Sequence, residues 1–560
     1  MRKHLFNLIR VGFFILMAGV LLLVLLSRGV PYACKKTFLL SNTVIAFLLI
    51  SALGIFSLVL CWWKCRKSSV RKPDASNQVY DKIVKYLTLC LLIVEVYISY
   101  NIFCVCTWDP TTIWYAALAR CYRDSDAIQA HAWYFSRYPN NLLLLLLEST
   151  CLTLNDNWGI FAGNYNMMSA IIVDCLAISC SCFLVYRVLS LYVDRKFAFG
   201  GFVAAVVLCG LSPWMSICYS DSLGIIFPIL SFYLYVKPTK SVRFKWIDQI
   251  LAVCVSCIGY FIKPQCIIIL IAIILVDIFN FSKAHKLEQL VKPIAFVAIA
   301  FICLAVTSGL LKAQYESLDV KLDPEQEIGM SHFLMMGMNY SYGGVYSQED
   351  VDYSVSFASC QERTAANIEK CIERLHELGI TGYTRLLAAK LLTAYHDGTF
   401  AWGMEGNGIN IQVVDNLNTY AAPFLKSIFY SAGDLHEYLK LLEQIAWIAV
   451  LLFSCSFGLV KQAEEKRRDL SILMMSIIGL TLFEMLFEVR ARYIFIYVPI
   501  FCILAALGFE NLYTKGQMQL SKRASRIYSK DLKKLLTPSQ GEYNGKYHTE
   551  LHFMDHSPLL

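Results

Sequence analysis

Long apolar runs recur along this chain, parted by short basic loops or polar turns, and they restrict what it can fold into. They lie near Leu5–Leu26, Leu39–Trp62, Tyr86–Cys106, Met167–Tyr186, Ala198–Leu211, Leu223–Val236, Ile250–Ile262, Cys266–Phe279, Ile294–Leu311, Ile445–Leu459, Ile472–Phe487 and Tyr493–Leu507. Each is near, or extendable to, the roughly 20 residues that a membrane helix needs. The expectation is an all-α polytopic membrane protein with about 12 transmembrane helices. Composition agrees: 57% of the 560 residues are hydrophobic and 16% are charged, against about 25% charged in soluble domains. A large soluble enzyme is excluded.

The net charge of +8 does not point to nucleic acid, because Lys and Arg fall in short loops between apolar runs, the pattern that orients membrane helices. Lys64, Arg66, Lys67, Arg71 and Lys72 mark one loop as cytoplasmic. Arg187, Arg195 and Lys196 mark another, followed by Lys237, Lys240, Arg243 and Lys245, by Lys283 and Lys286, and by Lys461, Lys466, Arg467 and Arg468. With twelve helices these share one face, and both termini of a multi-pass cell-membrane protein are cytoplasmic. The first run has a basic start (Arg2, Lys3, His4) but no small-residue cleavage site after it, so it reads as a retained signal-anchor.

Five regions follow. Residues 1–85 hold two helices and a basic loop. Residues 86–311 form a membrane core with an outer loop at 107–165. Residues 312–441 are polar, of mixed charge and too long for an idle loop, so a small helical extracytoplasmic domain is expected. Within it Ala365–Leu378 carries Ile368, Ile372, Leu375 and Leu378 on one helical stripe, stopped by Gly379, and Leu386–Ala394 reads as a second, apolar helix. Residues 442–512 hold the last helices, and 513–560 read as a mobile cytoplasmic tail.

Most of the 21 cysteines lie in apolar runs, where thiols act as small apolar groups. Cys254 and Cys257 lack a second pair at zinc-ligand spacing. Cys360 and Cys371 lie in a polar region, open to a disulfide or to two separate thiols.

Unusual polar residues gather on the expected outer side. Asp109, in Trp108-Asp109-Pro110, abuts hydrocarbon, where a carboxylate is costly and marks function. It reads as a general base for an acceptor hydroxyl, with a loop acid capping a turn at the lipid surface as the alternative. Asp124 and Asp126 read either as solvated loop acids or as oxygen ligands for a divalent cation. Arg137, Tyr138 and Asn140, in Tyr138-Pro139-Asn140-Asn141, read as a rigid turn capping the leucine run Leu142–Leu147 or as contacts to a phosphate or sugar. Asp221 either caps a helix or binds a sugar hydroxyl. Lys263 and Gln265, with Glu488, Arg490, Arg492 and Tyr493, put cations against the positive-inside trend. They read as headgroup anchors, as partners of Glu488, or as a phosphate site, for which the arginine fork is suited. In His396-Asp397-Gly398-Thr399-Phe400-Ala401-Trp402-Gly403, with Glu405-Gly406, aromatics beside acids suit carbohydrate without being specific for it. His332 and His396 are lone histidines, so no metal site is expected.

The order of these features resembles the GT-C membrane glycosyltransferases, which include protein O-mannosyltransferases and bacterial lipid-A-sugar transferases. Asp109 stands where that superfamily keeps its catalytic acid. Tyr134-Phe135-x-x-Tyr138-Pro139-Asn140-Asn141 is similar to a Tyr-Pro-Asn stretch of bacterial members, Tyr219-Ser220-Asp221 to a Tyr-Thr-Asp-type turn, and Glu488-x-Arg490-x-Arg492-Tyr493 with Pro499 to a late Arg-Tyr motif. The resemblance covers Tyr86 to Leu507. The two preceding helices and the 312–441 insertion depart from it, which leaves donor and acceptor open.

The resemblance implies a GT-C-like core and an inverting transfer from a polyprenyl-phosphate sugar to an extracytoplasmic glycan, lipid or protein. Asp109 would be the base. Arg490 and Arg492, with Lys263 as a third cation, would steady the departing phosphate. No nucleotide is required. Two rivals stand beside it. A transporter or lipid-linked-sugar flippase predicts ionisable groups in mid-membrane, and Asp174 in the fourth run is one. A glycan polymerase or ligase would rely on arginine rather than on an acid base.

Overall fold

The computed structural model describes residues 2–27, 39–66, 74–106, 108–239, 241–280, 288–316, 321–402, 412–413 and 419–536. Lys67, Arg71, Lys72, Lys240, Lys283, Lys286, Gly403, Glu405 and Gly406 lie outside them. Apart from a two-residue antiparallel ladder, Cys104–Val105 with Gln412–Val413, the regular structure of the described residues is helical.

Every apolar run named above falls on a helix. Among the described residues, seven helices are long and apolar enough to cross a membrane: Lys3–Leu26, Asn77–Asn101, Tyr165–Leu189, Leu290–Tyr315, His436–Gly458, Lys466–Leu486 and Ala491–Gln519. Asn42–Ala52, Ser220–Val236 and Pro264–Phe279 are apolar but shorter. The runs at 198–211 and 250–262 lie on Arg195–Ala205, continued as a π turn over Val206–Gly210, and on Val242–Tyr260. Short runs followed by Pro213 and Pro264 make broken helices, since proline starts a new turn but cannot continue an old one.

Burial separates the centre of the bundle from its rim. From Ile494 to Leu504, excepting Pro499, the apolar residues are fully buried, so this segment is apolar all round and lies in the middle. Gly508 lets it approach a neighbour closely, because a Cβ there would overlap the Phe453 carbonyl oxygen. The helix Glu288–Glu316 does the opposite. Phe301, Ile302, Val306 and Leu310 are exposed on it, and such a stripe of large apolar side chains needs an apolar surrounding.

Some of the basic residues near the helix ends are tied to acids. Lys237 pairs with Asp248 at 2.7 Å, and Asp277 gathers Lys292 at 3.2 Å, Arg468 and the Tyr235 hydroxyl. These pairs fix how the helices carrying them meet.

The described part of the segment 312–441 is helical apart from Gln412–Val413, and one stretch of it packs into the bundle. Its helix Cys360–Tyr395 bends at Gly379, whose φ of 55° suits glycine. Before the bend, Ile368, Ile372 and Leu375 are exposed; after it, Leu386 is buried against Met338 and Cys371 of the same segment, and Ala394 and Tyr395 are fully buried in the bundle. Trp447 Nε1 donates to the Tyr395 carbonyl at 2.8 Å, and Trp402 packs edge-on against Trp214. The sequence pattern anticipated both half-helices, but not that the second enters the core. Cys360 and Cys371 are separate thiols. Eleven residues apart on one helix, they are about 16 Å apart along its axis, too far for a disulfide. At the other end, Val498–Leu536 runs as one helix well past residue 513, where a mobile tail was expected.

Candidate functional site

Asp109 opens the helix Asp109–Cys121, with Pro110 beside it in the first turn. That position suits both: proline's missing N–H is not needed there, and a carboxylate is favoured by the helix dipole. The side chain accepts a hydrogen bond from the Tyr219 hydroxyl at 2.8 Å, and the Tyr134 hydroxyl also faces it. Asn141 Nδ2 in turn donates to Tyr134 Oη at 2.8 Å. Burial pushes the Asp109 carboxyl above its ordinary range. The Tyr219 bond, the Arg492 charge and the Tyr134 bond pull it back, and Glu488 adds to the rise.

Arg492 stands on the other side of Tyr219. Its guanidinium lies 4.5 Å over the Trp108 ring and 5.4 Å over Tyr219, and Nη1 donates to Asp221 Oδ2 at 2.7 Å. The other oxygen of Asp221 takes Lys263, whose ammonium lies 4.5 Å over Tyr493. Burial lowers the Lys263 ammonium's pKa and Asp221 opposes that. Glu488 accepts from Arg490 Nε at 3.1 Å and from the Tyr493 hydroxyl at 3.3 Å. Three cations thus meet two carboxylates, with Asp109 a short step away across Tyr219.

Most of these groups, though neither Asp221 nor Tyr134, line a cavity of about 1650 Å³. Its polar wall carries Asp109, Lys263, Gln265, Glu488, Arg490, Arg492 and Tyr493, and Arg137, Tyr138 and Asn140 also face it. Tyr260, Phe261, Ile262, Leu311, Phe483 and Phe487 make an apolar part. The inserted segment supplies a further wall through Asp323, His332, Phe333 and Tyr346. It is stitched on by backbone bonds from Glu488 N to the Phe333 carbonyl and from Val489 N to the Gly344 carbonyl, both 2.9 Å.

Ten of the residues singled out in the sequence are therefore brought together, and three are not. Asp221 is fully buried as the counter-ion of Lys263 and Arg492, is not among the residues that line the cavity, and does not cap the helix Ser220–Gly224. Asp124 caps Ser125–Ala130 by accepting from Ala127 N at 3.0 Å, and Asp126 sits in that helix's first turn. Neither lines the cavity, and no cluster of three or more metal-ligating side chains forms among the described residues. The His396–Trp402 stretch is buried structure: Asp397 accepts from the backbone of Thr399 and Ala401, and His396 meets Asn42. Asp174 is also fully buried, near Glu148 and Cys218 rather than in the cavity.

Sequence reasoning missed Tyr134, Tyr219 and Lys390. The tyrosines were visible only as parts of motifs. Lys390 Nζ donates to the Gly337 and Phe487 carbonyls at 3.0 and 2.6 Å, clamping the inserted segment beside Glu488. Its signal was a lone cation within Leu386-Leu387-Ala388-Ala389-Lys390-Leu391-Leu392, where an unpaired charge is untenable.

The long apolar helices and the lipid-suited rim define an integral membrane protein with several membrane-spanning segments. The chain belongs to the family of conserved hypothetical integral membrane proteins, which it matches over residues 2–513. No curated protein matches it.

Proposed function

We propose that this protein is a GT-C-type glycosyltransferase, moving a sugar from a polyprenyl-phosphate donor to an extracytoplasmic acceptor with inversion. One observation carries the reading: a single cavity holds a half-buried carboxylate oriented by phenols, three cations nearby, and an apolar wall. A carboxylate pushed upward by burial is suited to general-base work. Asp109 would deprotonate the acceptor hydroxyl as that oxygen attacks the anomeric carbon. The bond from that carbon to the phosphate oxygen would break, and the phosphate would leave with its charge facing Arg490, Arg492 and Lys263.

A guanidinium has five N–H donors, so holding a carboxylate and meeting a phosphate are compatible. The apolar wall would receive the first isoprene units. About twelve membrane helices, cytoplasmic termini and an outward-facing cavity belong to the same proposal, on the strength of the basic loops.

The transporter or flippase reading keeps one observation of its own. Glu148 and Asp174 are fully buried carboxyls close to each other and to Cys218, ionisable groups of the kind that proton-handling carriers keep within the membrane. Comparing cell-envelope glycans with and without the protein separates the two. A sugar missing from the glycan while its lipid-linked donor accumulates on the outer leaflet supports transfer. Accumulation on the inner leaflet supports a flippase.

A further inference from the structure

His332 lies in the cavity wall although it is only 1% exposed, and nothing above gives it a task. Its Nδ1 is 2.7 Å from Ser354 Oγ, and that hydroxyl donates to Asn367 Oδ1 at 2.9 Å. The amide is oriented by its other end, Nδ2, which donates to Ser331 Oγ at 3.4 Å. A serine hydroxyl has one proton. With that proton directed at Asn367, Ser354 meets His332 as an acceptor, so the neutral imidazole carries its hydrogen on Nδ1. Nε2 is left with a bare lone pair on the ring edge away from Ser354.

The surroundings keep the ring neutral. Burial lowers its pKa to about 4, with Arg363 acting in the same direction and Glu488 and Asp350 opposing. Arg363 is held by the carbonyls of Ser354, Glu325, Glu327 and Phe357, and Asp350 is engaged by Arg374 and Asn339. So weak a base does not take a proton at neutral pH, and that work stays with Asp109. What His332 offers is an uncharged, fixed hydrogen-bond acceptor in a wall otherwise rich in charges.

We propose that His332 reads one hydroxyl group of the bound sugar, accepting its hydrogen bond at Nε2 and so selecting among sugars that differ at that carbon. This rests on reading the cavity as a sugar-transfer site. A site built to bond a hydroxyl rejects the analogue that lacks it, because its own polar group is left unpaired.

Two measurements on the full chain in lipid nanodiscs test it. In the first, imidazole ¹⁵N NMR of the wild type, with the His332 signal assigned by its loss in His332→Gln, reads the tautomer without needing turnover. The expected result is a neutral ring protonated on Nδ1 down to about pH 5. A ring protonated on Nε2, or cationic at pH 6, overturns the inference and leaves the transferase reading intact. The second uses polyprenyl-phosphate hexoses, and then the monodeoxy series of whichever hexose is transferred. One deoxy position should cost the wild type roughly tenfold to a hundredfold in kcat/KM, the worth of leaving one buried acceptor unpaired, and cost His332→Phe nothing. His332→Gln, which again presents an acceptor, should restore part of the discrimination. Deoxy penalties that are the same in the wild type and His332→Phe overturn the inference. A wild type that transfers none of these sugars overturns the transferase reading, and the sugar as occupant with it.

Discussion

The Tyr219 hydroxyl donates to the Asp109 carboxylate across 2.8 Å, and Tyr219 itself begins the turn that carries Asp221. One short segment therefore orients the proposed base with its first residue and, two residues on, supplies the counter-ion of two proposed phosphate-binding cations.

Tyr219→Phe removes a bond that lowers the Asp109 pKa. The base works only when ionised, so rate is lost as pH falls through that pKa. Removing the bond raises the pKa further, so the acid limb of the rate profile moves to higher pH. At the acid end the variant should turn over on the order of tenfold more slowly, the worth of one bond to a charged group. A kcat–pH profile in detergent checks this, and an unmoved acid limb contradicts it.

Asp221→Asn leaves Lys263 and Arg492 buried without their shared carboxylate. Breaking a buried ion pair costs about 3–5 kcal/mol, so thermal unfolding should fall by many degrees. Asp124→Asn, at an exposed helix cap, should change stability by only a few tenths of a kcal/mol, since Asn and Asp cap about equally well. Equal effects at the two sites would contradict the roles assigned to them.

The aspartates also show what the sequence made legible. Asp109 stood out because it abuts an apolar run, and the cavity holds it. Asp124 and Asp221 each carried two readings. Only the fold decides between them, because Asp221's partners lie 42 and 271 residues away. Helix positions were readable from hydropathy, since burial in lipid or protein leaves the same apolar signature. The inserted segment was not: an apolar half-helix looks the same whether it rests beside the bundle or enters it, and the backbone bonds from residues 488 and 489 to Phe333 and Gly344 have no side-chain signal.

Arg490→Ala and Arg492→Ala should each slow transfer about a hundredfold with little change in acceptor KM, the usual cost of one donor to developing charge. Steady-state kinetics with a synthetic polyprenyl-phosphate sugar checks it. Unchanged turnover in both variants would remove the arginines from leaving-group stabilisation.

Reporter domains fused after Asp126 and after Arg195 should report opposite sides of the membrane, outside for the first and inside for the second, from the basic-loop pattern. Both on one side would contradict the proposed orientation of the cavity.

The most direct test of the account is Asp109→Asn. The amide keeps the shape and the helix-start position and removes the proton acceptor. A general base contributes roughly 10²–10⁴-fold. Transfer of labelled sugar from a polyprenyl-phosphate donor in liposomes should therefore nearly vanish while expression, insertion and thermal unfolding stay close to wild type. Near-normal transfer by Asp109→Asn at matched protein levels would contradict the account and favour chemistry led by Arg490 and Arg492, without an acid base.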